Sequence, residues 1–158
     1  MLRQGVSKDT PLLQRLLCIG LFKSFENFEL WCEKQFGFNE VGFRLDKDIL
    51  LKGNKMYSPS TCAFVPYEVN GLFVIQKQNR GKLPVGVSFN TTSSRYVVRM
   101  STNSHCKHLG AYDTAEEAFQ AYKQAKEDYI KEVANKWRDR IDPRVYEALM
   151  NWEISADG

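Results

Sequence analysis

No Asp or Glu occurs between Glu68 and Asp113, a run of 44 residues from Val69 to Tyr112. Histidine is almost as scarce. The chain has two, His105 and His108, both inside that run, so residues 1–104 contain no imidazole base or ligand. Cysteine is limited to Cys18, Cys32, Cys62 and Cys106, widely spaced and without a C-x-x-C pair. That spacing excludes a zinc ribbon or a dithiol redox motif and leaves reduced, mostly buried thiols as the reading. No apolar run reaches the roughly 18 residues of a membrane helix. Leu12 to Phe22 is short, interrupted by Gln14 and Arg15, and followed by no small-residue cleavage site. It reads as a packed helix, with no membrane association, and the protein is expected in the cytosol. Internal repeats and low-complexity stretches are absent.

What is present is a charge asymmetry. The carboxylate-free run carries six basic side chains: Lys77, Arg80, Lys82, Arg95, Arg99 and Lys107. Residues 1–68 hold 9 Lys/Arg against 8 Asp/Glu, and residues 113–158 hold 7 against 11. A net charge of +3 thus hides a +6 segment between a near-neutral one and an acidic one. A polyanion meets its most favourable surface where no carboxylate offsets the field, which points to nucleic acid. At 158 residues, with 43% hydrophobic and 13% aromatic side chains, the chain has material for one domain or two small ones.

Periodicity predicts an α+β chain. Thr10-Pro11 opens a short helix through Leu17, ending near Gly20. Ser24 caps a second, whose apolar face is Phe25, Phe28, Trp31, Cys32 and Phe36, with Gly37 just past its end. Phe43 to Leu51 reads as a strand, Gly53-Asn54 as a turn with Asn54 left-handed, Cys62 to Val65 as a second strand, and Pro66 as the start of a short helix. The polar, basic Gln76 to Lys82 reads as a linker, dividing the chain into 1–75, 76–83 and 84–158. Three strands follow, Pro84 to Asn90, Arg95 to Ser101 and Lys107 to Tyr112. After them a capping box (Asp113 with Glu116, or Thr114 with Glu117) opens a long helix. Its stripe is Ala118, Phe119, Tyr122, Ala125, Tyr129, Ile130, Val133 and Trp137. Asp142-Pro143 starts a last helix. The whole is a small helix/strand lobe followed by a three-stranded antiparallel sheet backed by a long helix.

Alternation then sorts the sheet. Val87, Phe89, Tyr96, Val98, Met100, Leu109 and Ala111 are expected to face the long helix. Ser88, Asn90, Arg95, Val97, Arg99, Ser101, Cys106 and His108 are expected on the open side, with Lys107 at the rim. Such a face suits the major groove of double-stranded DNA: Arg donates to guanine, Asn pairs with adenine, and Ser or Lys fixes the register on phosphate. Lys77, Arg80 and Lys82 extend the basic strip. The bland alternative is a solvated sheet face, but solvated faces ordinarily mix signs.

Gly86-Val87, Arg95-Tyr96-Val97-Val98, the run from His108-Leu109-Gly110 to Glu117-Ala118, and Ala121-Tyr122 resemble the APETALA2-type DNA-binding domain over residues 84–125. The resemblance implies a sheet docked in the major groove, with Ser88, Asn90, Arg99, Ser101 and His108 at groove-facing positions.

Asp46 and Asp48, two apart on the predicted strand, share a face and could hold a divalent ion, with Lys47 or Lys52 steering phosphate and Asn54 orienting the loop. The alternative is a strand edge with solvated or turn-capping aspartates. Leu45 to Leu50, Lys52 to Lys55 and Tyr57 to Val65, with the tail after Asp142-Pro143, resemble the phage-encoded HNH homing endonucleases over residues 22–155. That family joins such a frame to an APETALA2-like module. The resemblance implies a metal-binding aspartate at Asp46 and a loop asparagine at Asn54. Lys47 stands where the general-base histidine belongs, and Thr61 where the helix asparagine belongs, so the implied catalytic site is degenerate.

Three functions follow. The first is a phage DNA-binding protein on a retired nuclease frame. The second is a Mg²⁺-dependent endonuclease using Asp46, Asp48 and Asn54. The third is an anti-defence or regulatory protein binding a host protein through its acidic helix (Glu127, Asp128, Glu132, Asp139) and Trp152.

Overall fold

The computed structural model describes residues 24–73, 82–102 and 105–157. The helix expected from Thr10, and Lys77 and Arg80 of the linker, lie outside the described residues. The fold is α+β, with two antiparallel sheets and four helices among the described residues. Helix α1 spans Phe25–Cys32, and strands β1 (Phe43–Asp46) and β2 (Ala63–Pro66) pair antiparallel. Helix α2 (Tyr67–Asn70) continues as a 3-10 turn, Gly71–Phe73. A meander of β3 (Val87–Asn90), β4 (Arg95–Ser101) and β5 (Cys106–Tyr112) follows, with β4 central. Helix α3 covers Ala115–Trp137 and α4 Pro143–Met150.

Several expectations need correction. Helix α1 stops at Cys32, so Phe36 falls beyond it and is 56% exposed rather than part of the apolar face. The strand expected to reach Leu51 ends at Asp46, because the Asp46 carboxylate accepts from the N–H groups of Asp48 and Ile49 and turns the chain. Gly53, not Asn54, takes the left-handed conformation, at φ 76°. Of the two capping registers, the Thr114 hydroxyl accepting from Glu117 N at 3.2 Å is the one formed.

Helix α3 is the shared spine. Its first half packs Ala118, Phe119 and Tyr122 against Val87, Val98 and Met100 of the meander. Its second half buries Ile130, Val133 and Ala134 against Ile49, Ala63, Val65, Val69 and Leu72, with Ile141, Val145 and Leu149 closing the cluster. This larger core therefore draws on both sides of segment 76–83. Each fully buried aliphatic side chain there contributes about 1.5–3 kcal/mol. The exposed Arg140–Glu40 and Lys136–Glu68 pairs contribute under about 1 kcal/mol each, so burial decides the cohesion. The tail returns across the seam. Ile154 N donates to Glu127 Oε1 at 2.9 Å, Val85 N donates to the Ala156 carbonyl at 3.0 Å, and Trp152 packs on Phe73.

Candidate nucleic-acid interface

The open face of the meander is set by register. Val87 pairs with Val98 and Phe89 with Tyr96 on the helix side, although Phe89, expected to pack inward, is 47% exposed; Ser88 lies opposite Val97 and Asn90 opposite Arg95 on the other side. On β5 the alternation breaks. Val98 pairs with Gly110 but Arg99 with His108, so Leu109 is an extra residue, a β-bulge. Leu109 and Gly110 are consecutive on the helix side, and Gly110 accommodates this at φ 150°. Tyr112, not Ala111, packs toward α3, and Ala111 pairs with Val97 on the open face. This corrects the expected inward Ala111, since simple alternation does not anticipate an inserted residue.

The bulge brings Arg99 directly opposite His108 and Ser101 opposite Cys106, all four exposed. Ser88, Asn90 and Arg95 complete the expected face and are exposed too. Lys107 pairs with the buried Met100 and so alternates to the helix side, although exposed. Lys82 is exposed just before the meander.

Hydrogen bonding decides what each group can still offer. Asn90 Oδ1 accepts from Thr92 N at 2.9 Å and Ser93 N at 3.2 Å, capping the β3–β4 turn. Only its amide donors remain, so the expected pairing with adenine, which needs donor and acceptor together, is not available. Ser88 Oγ donates to the Val97 carbonyl at 3.3 Å and keeps acceptor capacity. Arg95 Nε donates to Asp113 Oδ1 at 2.9 Å. Asp113, the first carboxylate after the basic run, thus reaches the sheet and orients Arg95. Sequence reasoning passed over that contact. It extends the Tyr96–Tyr112 register by one step, so it is visible only once the bulge is known. Among the described residues the side chains of Arg99 and His108 have no hydrogen-bond or ion-pair partner.

The first-half residues build a loop instead of a groove. Asn54 Nδ2 donates to the carbonyls of Lys47 (2.8 Å) and Met56 (2.6 Å), and its Oδ1 accepts from Met56 N. Ser58 Oγ lies 2.8 Å from Thr61 Oγ1, closing the next turn. Asp46 and Asp48 do come together, through the turn rather than along a strand. Burial pushes the Asp46 carboxyl above its usual range, the N–H groups of Ile49 and Asp48 pull it down, and the adjacent Asp48 carboxylate adds to the rise. Lys47 Nζ sits 3.4 Å from Asp48 Oδ2. One Asp46 oxygen is committed to backbone donors and a lysine already supplies counter-charge, so the pair does not fit a Mg²⁺ site. Among the described residues no three His, Cys, Asp or Glu group to hold a metal ion.

Cys32 and Cys62 are buried beside this loop, and Cys106 is exposed. Burial, with Cys62 and Glu29 nearby, pushes the Cys32 thiol up to about 12. A thiol held protonated is a packing group, not a nucleophile. No helix of the described residues is long and apolar enough to cross a membrane. Comparison with protein-family models, curated proteins and solved structures finds no match to this chain.

Proposed function

We propose that this protein binds double-stranded DNA by laying the open face of the β3–β4–β5 sheet against the duplex. Arg95, Arg99 and His108 take phosphate or guanine, Ser88 and Ser101 add hydrogen bonds, and Asn90 acts as a donor. One observation carries the reading: the three strands contain no carboxylate, and Arg99 stands on their exposed face without a counter-ion among the described residues. Unpaired surface cations displace counterions when they meet a phosphate, which favours a polyanion. Tyr96 and Tyr112 pack on the helix-side cluster, and Phe89, though 47% exposed, pairs with Tyr96 on that same side of the sheet. Among the described residues the open face therefore presents no aromatic ring for stacking single-stranded bases, which favours duplex. Descent from an HNH frame that has lost its general base belongs to the same proposal and rests on the sequence resemblance of residues 22–155.

The test is fluorescence anisotropy of a labelled duplex with the wild type and Arg99→Glu. Reversing this charge is expected to weaken binding by about tenfold or more, consistent with about 1.5–3 kcal/mol for a charge-assisted contact. Unchanged affinity removes the sheet from the interface. A parallel incubation with supercoiled plasmid and Mg²⁺ is expected to leave it intact. Cleavage that disappears in Asp46→Ala replaces this reading with an endonuclease.

A further inference from the structure

The β5 bulge sets an arginine and a histidine side by side on an exposed face, and neither has a partner among the described residues. Directly opposed residues of an antiparallel pair have Cβ atoms about 4.5–5.5 Å apart, near enough for both side chains to grip one small anion. We infer that Arg99 and His108 form a two-pronged clamp for a single DNA phosphodiester, with His108 taking up a proton as the phosphate enters. The inference rests on the duplex-binding reading and adds which side chains grip and how the grip responds to pH.

The surroundings of His108 favour this coupling. Across the ladder stand Arg99 and, diagonally, Val97 and Ser101. Along its own strand, Cys106 and Ala111 share the face, while Lys107 alternates to the other side. Beyond the strand end, the Thr102 hydroxyl and N–H both donate to the His105 carbonyl. Helix α3 packs on the opposite side of the sheet, and β5 is an edge strand. The carboxylate next to the ladder, Asp113, is held by Arg95. Among the described residues no free carboxylate shares this face, so an entering phosphate is the anion that favours a proton on the imidazole. An imidazole ordinarily titrates near pH 6.5, so the linkage falls within reach of ordinary buffers.

The experiment measures duplex affinity at about pH 5.5 and about pH 8, either side of the ordinary imidazole range, at matched ionic strength. It compares wild type, His108→Gln, Arg99→Gln and, as a control, His105→Gln. Wild-type binding is expected to tighten about tenfold at the lower pH with its log–log salt slope nearly unchanged, because His108 joins a phosphate that Arg99 already neutralises. His108→Gln flattens the pH response, Arg99→Gln weakens it, and His105→Gln keeps it. Calorimetry at neutral pH in two buffers of different ionisation heat should show proton uptake on binding, absent in His108→Gln. Duplex binding with no proton uptake, or a pH response that survives His108→Gln, overturns the clamp while leaving the DNA reading intact. Absence of duplex binding at both pH values overturns the DNA reading and the clamp with it.

Discussion

The ammonium of Lys126 is the sharpest conflict between a single residue and its surroundings. It lies on α3 between Tyr122 and Ile130, is 8% exposed, and has its own helix neighbour Tyr129 at 5.7 Å as a ring contact. Burial lowers its pKa from the ordinary lysine value. The sign follows. The unfolded chain binds this proton more tightly, so stability is diminished below the lowered folded value and recovers as pH rises toward the unfolded value of about 10.4. Lys126→Met, which fills similar space without a charge, is expected to raise stability by about 1–3 kcal/mol near neutral pH. It should also flatten the alkaline part of the curve, read by chemical denaturation. An unchanged or lowered midpoint contradicts this. The apolar stripe of α3 was legible at Ala118, Phe119, Tyr122, Ile130 and Val133, all buried. Lys126 was not, because a lysine is ordinarily solvated and only packing reveals when its stem is covered. Asn90 teaches the same lesson. Its type and place on the open face were readable, but its carbonyl was already spent on the turn.

Elements were legible where one period ran unbroken. The strand Arg95–Ser101, the long helix with its Thr114 cap and the proline-led helix α4 follow from their residues. Illegibility came from side chains that redirect the backbone. Asp46 ends β1 four residues into a nine-residue β-like run, and the bulge at Leu109 shifts the face of every β5 residue after Leu109. Close approach of sheet to helix is a further feature at this scale. Gly86 sits at φ 76°, its carbonyl accepts from Arg99 N at 3.1 Å, and a Cβ there would run into the Tyr122 ring. Gly86→Ala therefore combines left-handed strain with displacement of a core aromatic, and is expected to cost about 1–3 kcal/mol. Because Gly86 holds Arg99's backbone, the same variant should weaken DNA binding as well. A thermal melt indistinguishable from wild type contradicts the close-approach account.

The molecule as a whole separates its charges. Arg95, Arg99 and His108 stand on one face of the meander, while Glu116, Glu117, Asp128 and Glu132 are exposed along the helix that covers the other. In the proposed binding mode this separation steers a polyanion to the sheet and away from the helix. Helix α3 also ties this face to the first half of the chain, so damage to the shared core should reach both. Ile130→Ala is expected to cost about 2–5 kcal/mol, with both halves melting in one transition. Two separate transitions contradict a common spine. The loop of that first half is closed by its own residues, with Lys47 against Asp48 and Asn54 donating to the carbonyls of Lys47 and Met56. Duplex binding by the sheet is tested most directly by the salt dependence of affinity. Log affinity is expected to fall linearly with log salt, at a slope between about −1.8 and −3.6, as two to four phosphates are neutralised. A slope near zero, or no duplex binding at low salt, contradicts it.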